Sequence, residues 1–263
     1  MTNGFHDHHA PAIGDQVVIV TGGARGVGRS ITQAFLREGA RVVIGYRASE
    51  RQATELVDTA LGRAVAVRAD VRDRTQVEGL VGAAADAFGA PVSTVVNNAL
   101  VDFTFDGDAR PKAEEIGYDA FAAQLAGSVQ GALNTIQAAL PDFERAGSGR
   151  VVNVGTNLFQ NPVVPYHDYI AAKAALLSLT RTFADDLGPR GIRVNMVSGG
   201  LLRTTDASAA TPPEVFDAIA RTTPLRSVTT PAEFADAVLF FASPASRAIT
   251  GQNLVVDGGL VKA

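Results

Sequence analysis

The feature that most constrains the fold is a regular alternation of short β-branched runs with longer Ala- and Leu-rich stretches. The runs have the length of strands and are apolar at successive positions, which is typical of parallel strands buried on both faces. The stretches between them have the length and composition of helices. The pattern predicts strands at residues 16–20, 41–45, 64–68, 92–97, 150–155, 192–197 and 253–256, and helices beginning near Arg25, Ser49, Arg74, Lys112, Tyr166 and Pro231.

This alternation predicts one doubly wound α/β domain, a parallel sheet of about seven strands flanked by helices. No Pro-, Gly- or Ser-rich linker and no repeat of solenoid length divides the series. We therefore predict a single domain over residues 14–263. Residues 1–13 are predicted to form a disordered tail. Residues 201–230 interrupt the alternation and are predicted to form a lid over a cleft.

Composition narrows the classes of function. The chain has 46% hydrophobic and 19% charged residues, as a folded globular core requires. Its 23 Lys and Arg against 27 Asp and Glu give a net charge of −4, so we expect neither a nucleic acid nor an anionic membrane surface as a partner. The absence of cysteine excludes disulfides and thiolate chemistry. His6, His8 and His9 lie in the predicted tail, without a scaffold to hold a metal, so no metal site is expected.

The sequence predicts neither an export signal nor a membrane span. The N-terminal stretch lacks the apolar core of a signal peptide. No apolar run approaches the roughly 18 residues that would span a bilayer. We therefore expect a cytoplasmic protein.

A glycine-rich turn follows the first predicted strand, where residues 21–28 are Thr-Gly-Gly-Ala-Arg-Gly-Val-Gly. Glycines let the backbone turn tightly and approach a pyrophosphate, whose charge then lies at the N-terminus of the following helix. Such a turn is a weak signal by itself, because tight turns need glycine whatever they bind. The turn does not end in Gly-Lys-Ser/Thr, which argues against a nucleoside triphosphatase.

Several motifs in fixed order resemble those of the classical short-chain dehydrogenases/reductases. The resemblance extends from about Gly14 to Gly259, and it implies a Rossmann-type sheet, a nicotinamide cofactor and a homotetramer. Each motif follows a predicted strand, so all of them are expected at the carboxyl edge of the sheet, where doubly wound folds bind ligands. The motifs are Thr-Gly-x3-Gly-x-Gly at residues 21–28, Asn97-Asn98-Ala99, and Tyr169-x3-Lys173.

Two arginines favour NADP(H) as the cofactor. A site for NAD places a carboxylate just after the second strand, but Tyr46 and Arg47 occupy that position here. The planar guanidinium groups of Arg47 and Arg25 suit a 2′-phosphate, although both could instead be ordinary surface residues. The cofactor-binding residues implied by the resemblance are Gly22, Arg25, Gly26, Val27, Gly28, Tyr46, Arg47, Asp70, Val71, Asn98, Ala99, Tyr169, Lys173, Gly200, Leu202 and Thr204.

The candidate catalytic residues are Tyr169, Lys173, Thr156 and Ser128. Tyr169 and Lys173 are four residues apart and so share one helix face. An adjacent ammonium together with an oxidised nicotinamide would lower the phenol pKa from its reference value of about 10, which gives Tyr169 an acid/base role. Lys173 is also expected to hold the nicotinamide ribose. In the resembling family a serine that hydrogen-bonds the substrate carbonyl stands at the position of Thr156. An asparagine that holds a proton-relay water stands at the position of Ser128.

The resemblance is strongest to 3-oxoacyl-[acyl carrier protein] reductases, which implies NADPH-dependent reduction of a 3-oxoacyl thioester. A reductase or dehydrogenase of another small ketone or alcohol, and a weakly active NADPH-binding sensor, remain open. An acidic acyl carrier protein would need a basic docking face, for which Arg145, Arg150 and Arg190 are candidates. The expected substrate pocket is apolar. Its candidate side chains are Phe103, Phe105, Leu158, Phe159, Val163, Val164 and Phe216.

Overall fold

Seven strands form one sheet in this computed structural model, which describes residues 11–106, 109–203, 205, 208–209 and 211–262. Every neighbouring pair is parallel, and the order is β3-β2-β1-β4-β5-β6-β7. The predicted doubly wound α/β fold is therefore confirmed. The strands are β1 (Val17–Thr21), β2 (Arg41–Tyr46), β3 (Ala64–Arg68), β4 (Thr94–Asn97), β5 (Gly149–Thr156), β6 (Ile192–Gly199) and β7 (Asn253–Val256).

Helices cover both faces of the sheet, because the strands are apolar at successive positions. Val18 and Val20 of β1 belong to one core, whereas Val17 and Ile19 belong to the other. Helices α1, α2 and α8 pack in the first core, and α3, α5 and α6 pack in the second. The α-helices are α1 (Gly26–Arg37), α2 (Glu50–Thr59), α3 (Arg74–Phe88), α4 (Tyr118–Leu125), α5 (Gly131–Ala146), α6 (His167–Leu187), α7 (Pro213–Thr222) and α8 (Pro231–Ala242).

The strand order reverses between β1 and β4, which opens a crevice at the carboxyl edge of the sheet. Loops after neighbouring strands diverge at such a point, and open α/β sheets bind their ligands there. The glycine-rich turn follows β1, and Asn98 follows β4. The topology thus brings the predicted motifs to one edge.

The helix predicted near Lys112 begins later, at Tyr118. The Lys112 carbonyl accepts hydrogen bonds from the backbone of Glu115 and Ile116, which closes an isolated turn. Gly117 then takes an extended conformation and ends that turn. From α4 the chain continues into α5 through one π-helical turn, Ala126–Gln130, which contains Ser128.

The chain contacts the domain from its first described residues. The Gln16 side chain donates a hydrogen bond to the Pro11 carbonyl, and Ile13 packs against the core. Residues 1–10 of the predicted tail, with their histidines, lie outside the described residues. The predicted lid region contains α7, whose Phe216 is buried. Over the described ranges no helix combines the length and apolar character needed to cross a membrane.

Candidate active site

The glycine-rich turn depends on backbone shapes that few other residues adopt. Gly22 and Gly26 have φ angles of +62° and +54°. A Cβ on Gly28 would overlap the Gly22 carbonyl oxygen, so the start of α1 packs directly beneath the turn. A Cβ on Gly26 would instead meet open space. The turn is therefore tight within the protein and open on the side where a ligand can approach.

Hydrogen bonds between the end of β1 and the residues that follow β4 hold this turn in place. The Thr21 hydroxyl accepts from the backbone N–H groups of Asn98 and Ala99 at 3.0 and 3.1 Å, and donates to the Val96 carbonyl. The Asn98 amide donates to the carbonyls of Thr21 and Gly22 at 3.0 and 3.1 Å. Asn98 and Ala99, predicted as cofactor-binding residues, thus also build the floor of the crevice.

A cleft of about 670 Å³ opens beside the turn. Its walls combine predicted cofactor-binding residues from the loops after four strands. Gly22 and Arg25 follow β1, whereas Arg47 follows Tyr46, the last residue of β2. Asp70 and Val71 follow β3, and Ala99 follows β4, with the adjacent Leu100 and Val101 completing that wall.

Charged side chains form a network at this cleft that sequence reasoning missed. Arg47 forms a two-pronged ion pair with Asp102, in which Nη2 donates to Oδ1 at 2.6 Å and Nη1 donates to Oδ2 at 3.2 Å. Arg72 donates to Asp70 at 2.6 Å and lies 3.4 Å from the second Asp102 oxygen. Hydrogen bonds from Arg47 lower the pKa of Asp102, and those from Arg72 lower the pKa of Asp70.

The residues of the crevice fit a nicotinamide dinucleotide. The open side of the turn at Gly26 leaves room for a diphosphate, and the first N–H groups of α1 favour negative charge there. Arg25, Tyr46 and Arg47 line the end where an adenosine would lie. The fit does not by itself separate NADP(H) from NAD(H), because Arg47 is paired with an acid.

The predicted catalytic pair lies next to this crevice on α6. Tyr169 is 7% exposed, and the hydroxyl of Thr156 at the end of β5 lies beside its phenol. The Thr156 oxygen accepts from the backbone of Leu158 at 3.3 Å. The Lys173 ammonium donates to the Val154 carbonyl at 2.7 Å and lies 5.8 Å from the centre of the Tyr169 ring. The structure thus brings Tyr169, Thr156 and Lys173 together.

Burial dominates the acid–base balance of this pair. It raises the pKa of Tyr169 to about 12, and the Thr156 hydroxyl opposes that shift only in part. Burial also lowers the pKa of Lys173 to about 8, and its side chain is directed to the Val154 carbonyl. The lowering of the phenol pKa by Lys173 together with an oxidised nicotinamide stays a prediction.

Ser128 lines a small cleft together with Lys173 and Asn97, and the π-helical turn places it there. Asn97 donates its amide to Asn153 at 2.9 Å, and its own buried carbonyl oxygen has no protein partner. An unpaired polar atom of this kind suits an ordered water. Ser128 and Lys173 thus border one cleft, as a proton relay requires.

Aromatic side chains pack against Tyr169, the predicted catalytic tyrosine. The ring centres of Phe103 and Phe105 lie 4.9 and 5.4 Å from that of Tyr169, and Tyr166 lies 5.2 Å from Phe103. We call Phe103, Phe105, Tyr166 and Tyr169 the aromatic cluster. Sequence reasoning placed both phenylalanines in the pocket but missed the stacking role of Tyr166.

A buried ion pair fixes the loop that carries the two phenylalanines. Arg110 binds Asp168, which is 3% exposed and precedes Tyr169 on α6. The Arg110 guanidinium also lies 4.4 Å from the centre of the Phe103 ring. The loop after β4 is thereby attached to the helix that carries the catalytic pair.

The loop after β6 completes the site. Gly200 packs against Asn157, whose amide donates to Asp257 at 2.9 Å. Asp257 also accepts from three backbone N–H groups of the C-terminal segment, a role that the sequence did not reveal. Leu202 is buried in the core. Thr204, predicted to contact the cofactor, lies outside the described residues.

Phe159 is partly buried against a core of Ala132, Leu176 and Met196. One predicted placement is wrong. Arg150 is 1% exposed, so it cannot belong to a basic docking face.

The other two candidates for that basic face are paired with acids. Arg145 binds Asp142, and Arg190 binds Glu144. Within the described ranges no three acidic or histidine side chains are grouped so as to hold a metal ion.

Comparison with known proteins gives a family match over most of the chain. The family described as "Enoyl-(Acyl carrier protein) reductase" matches residues 22–261. A crystal structure described as a short-chain dehydrogenase/reductase, glucose/ribitol dehydrogenase, from Brucella melitensis superposes with a TM-score of 0.83. It covers 94% of this chain and 97% of its own, at 23% identity, and so supports the fold alone.

Curated relatives of similar identity carry different activities in their names. A 2,5-dichloro-2,5-cyclohexadiene-1,4-diol dehydrogenase, LinX, of Sphingobium indicum is 31% identical over 95% of this chain and 98% of its own. An L-rhamnose 1-dehydrogenase (NAD(P)(+)) of Azotobacter vinelandii is 34% identical, with 94% and 96% covered. A 3-oxoacyl-[acyl-carrier-protein] reductase, FabG, of Staphylococcus aureus is 31% identical, with 92% and 96% covered.

Proposed function

This chain belongs to the short-chain dehydrogenase/reductase family, and on that premise we propose that it is an NADPH-dependent carbonyl reductase. Members of this family are oxidoreductases that act on alcohol and carbonyl groups and use NAD(P)(H). The observation that carries the proposal is the buried Tyr169 phenol, which lies beside the Thr156 hydroxyl and Lys173 and next to the dinucleotide crevice. A proton donor and a second hydroxyl meet there at a point shielded from water.

The chain's residues supply the proton and the alignment for this reaction. The bound nicotinamide supplies a hydride to the carbonyl carbon. Tyr169 donates its proton to the carbonyl oxygen, so the ketone becomes a secondary alcohol. A pKa of about 12 keeps Tyr169 protonated at neutral pH, so the proton that reduction requires is present on the phenol. Thr156 holds the same oxygen, and Lys173 and Ser128 border the cleft through which the phenol would regain a proton.

A 3-oxoacyl thioester is the first substrate that we propose. The aromatic cluster supplies apolar surface for an acyl chain, and a relative at 31% identity bears the name of a 3-oxoacyl-[acyl-carrier-protein] reductase. Because Arg150 is buried and Arg145 and Arg190 are paired with acids, the surface supports a free thioester better than one carried by an acidic protein.

A small cyclic alcohol or ketone is the second candidate. Rings that meet edge to face, as Phe103 and Phe105 do at 4.9 Å and 72°, offer flat apolar walls to a cyclic substrate. Two relatives named as dehydrogenases of a cyclohexadienediol and of rhamnose have identities of 31% and 34%, no lower than that of the reductase. This candidate keeps the same cofactor and the same catalytic residues.

The test is NADPH consumption with an acetoacetyl thioester and with a panel of cyclic ketones, comparing wild type with Tyr169→Phe. Removing one general acid costs about 10²- to 10⁴-fold, so we expect turnover to fall by at least 100-fold while the variant still binds NADPH. The thioester and the cyclic ketones distinguish the two substrate candidates. NADPH binding without Tyr169-dependent turnover on any carbonyl would contradict a reductase and favour a cofactor-binding sensor.

Assembly and location complete the proposal. We expect a homotetramer, and exposed apolar side chains on α8 and on the edge strand β7, Phe240 and Leu254, support association there. Light scattering on the purified protein measures the subunit number. We also retain the expectation of a cytoplasmic location, which cell fractionation tests.

A further inference from the structure

Asp102 lies outside the sequence motifs that mark the crevice. Its carboxylate nevertheless binds the guanidinium of Arg47, on which the choice of cofactor depends. We propose that Asp102 is a tethered anion that competes with the adenosine 2′-phosphate for Arg47, and thereby sets the preference between NADP(H) and NAD(H). This inference rests on the proposed use of NADP(H).

The competition follows from the geometry of the Arg47 guanidinium. Both of its terminal nitrogens donate to Asp102, at 2.6 and 3.2 Å, so a carboxylate occupies one edge of the planar group. Arginine binds carboxylate and phosphate through the same two-pronged arrangement. A phosphate that binds to this edge must therefore displace Asp102.

The position of Asp102 in the fold makes this pairing specific to the cofactor cleft. Asp102 directly follows Leu100 and Val101, which line the cleft on the β4 side, whereas Arg47 follows β2 on the opposite wall. The pair thus connects the two walls. Asp102 has a φ angle of +49°, a left-handed conformation that aspartate tolerates better than most residues.

Arg72 gives the displaced carboxylate a second partner. Its Nη1 already lies 3.4 Å from Asp102, while its other donors bind Asp70. The group then consists of two cations and two carboxylates, and a 2′-phosphate would add about two negative charges to it. NAD(H) adds none, so the Arg47–Asp102 pair can persist when NAD(H) binds. Asp102 therefore weakens the preference for NADP(H) that Arg47 would otherwise give.

The test uses adenosine 2′,5′-bisphosphate and AMP as probes, with NADP⁺ and NAD⁺ beside them, in titration calorimetry. Asp102→Asn removes the charge and keeps a residue that accepts a positive φ angle. From the strength of exposed ion pairs we expect the Kd for adenosine 2′,5′-bisphosphate and NADP⁺ to fall by about fivefold. The Kd for AMP and NAD⁺ should change by less than twofold.

Two further variants separate competition from a general charge effect. Asp236→Asn makes the same charge change at an exposed ion pair with Arg37, at the far end of α1, and should leave all four Kd values unchanged. In an Arg47→Gln background the gain from Asp102→Asn should disappear, because the residues act through one contact. Thermal unfolding shows whether each variant is folded, and Asp102→Ser replaces any Asn variant that is not.

Several outcomes would overturn the inference. An unchanged or weaker affinity for the bisphosphate, an equal gain for AMP, or a gain that survives without Arg47 each contradicts competition. If the wild-type protein binds neither adenosine 2′,5′-bisphosphate nor AMP, both the inference and the proposed use of NADP(H) are wrong. Because the probes carry no nicotinamide, their binding without ketone turnover contradicts only the proposed reductase activity.

Discussion

The two halves of the crevice are built by different means. On the cofactor half, Thr21, Gly28 and Asn98 form a turn from backbone contacts and hydrogen bonds to the main chain. On the substrate half, the aromatic cluster and the Arg110–Asp168 pair form a wall from side chains on a loop and a helix. A site made of main-chain contacts cannot change without a change in the fold. A wall of loop side chains can change without altering the strands beneath it.

This difference predicts where substitution will damage the whole molecule and where it will change only selectivity. A change in the turn should affect folding and cofactor binding together. A change in the aromatic cluster should affect the tyrosine and its substrate but leave the cofactor half almost untouched. Variants on each half, measured for stability and for dinucleotide affinity, can therefore test whether the two halves differ in this way and by how much.

The largest effect is expected from Gly28→Ala. The added methyl group would overlap the Gly22 carbonyl, and overpacking of this kind costs about 1–3 kcal/mol or more. We expect the free energy of unfolding to fall by about 3 kcal/mol and dinucleotide affinity to fall by about 100-fold or more. Denaturant unfolding and calorimetric titration measure both quantities.

Gly26→Ala is the matched control for that prediction. Its methyl group would enter open space, so its cost to the free energy of unfolding is limited to the strain of a φ angle of +54°, about 1 kcal/mol. Equal losses of unfolding free energy in the two variants would show that the turn is not held by the close contact between Gly28 and Gly22.

The cofactor half could be predicted because its signals are local in sequence. Residues 21–28 carry their own backbone requirement, and the buried runs that become β1 and β4 fix which edge they reach. Strand limits differ from prediction by only a few residues; β4, for example, begins at Thr94 instead of residue 92. The late start of α4 was missed because the turn at Lys112 resembles the first turn of a helix.

The charged contacts could not be predicted because they join residues distant in sequence. Asp102 pairs with Arg47 across 55 positions, and Arg110 pairs with Asp168 across 58. No local pattern marks such partners. Arg150 was misjudged for a related reason, since an arginine at the start of a strand is ordinarily exposed, but this one is covered by the packed layers.

Lys173 connects the two halves, and its titration should give an intermediate effect. Burial lowers its pKa to about 8, so the ammonium that would hold the nicotinamide ribose is lost as the pH rises through 8. We expect kcat/KM for NADPH to fall by about tenfold between pH 7 and pH 9. Lys173→Arg, which stays charged, should move this decline to higher pH, and an unchanged profile would contradict the assignment.

The same group makes a prediction for stability. The folded pKa of about 8 is below the ordinary value of 10.5, so the unfolded chain binds more protons between these values. Stability should therefore rise with pH across that window, and Lys173→Met should remove the rise. Denaturant unfolding between pH 8 and pH 10.5 measures the slope.

The smallest effect on the cofactor half is expected from Phe103→Ala, which removes one wall of the aromatic cluster. Because burial is the main cause of the raised pKa of Tyr169, exposing the phenol should lower that pKa from about 12 toward its ordinary value. Dinucleotide affinity should change by less than about twofold, since the nearest contacts of Phe103 are to Phe105, Tyr166, Tyr169 and Arg110.

Phenolate absorbance, corrected with the Tyr169→Phe variant, measures this pKa, and titration calorimetry measures the affinity. Phe240→Ala, at a half-exposed ring on α8, is the matched control and should change neither. A tenfold loss of dinucleotide affinity in Phe103→Ala would show that the two halves are coupled through the loop after β4. An unchanged pKa would instead mean that the core beneath Tyr169, and not the aromatic cluster, keeps its phenol from water.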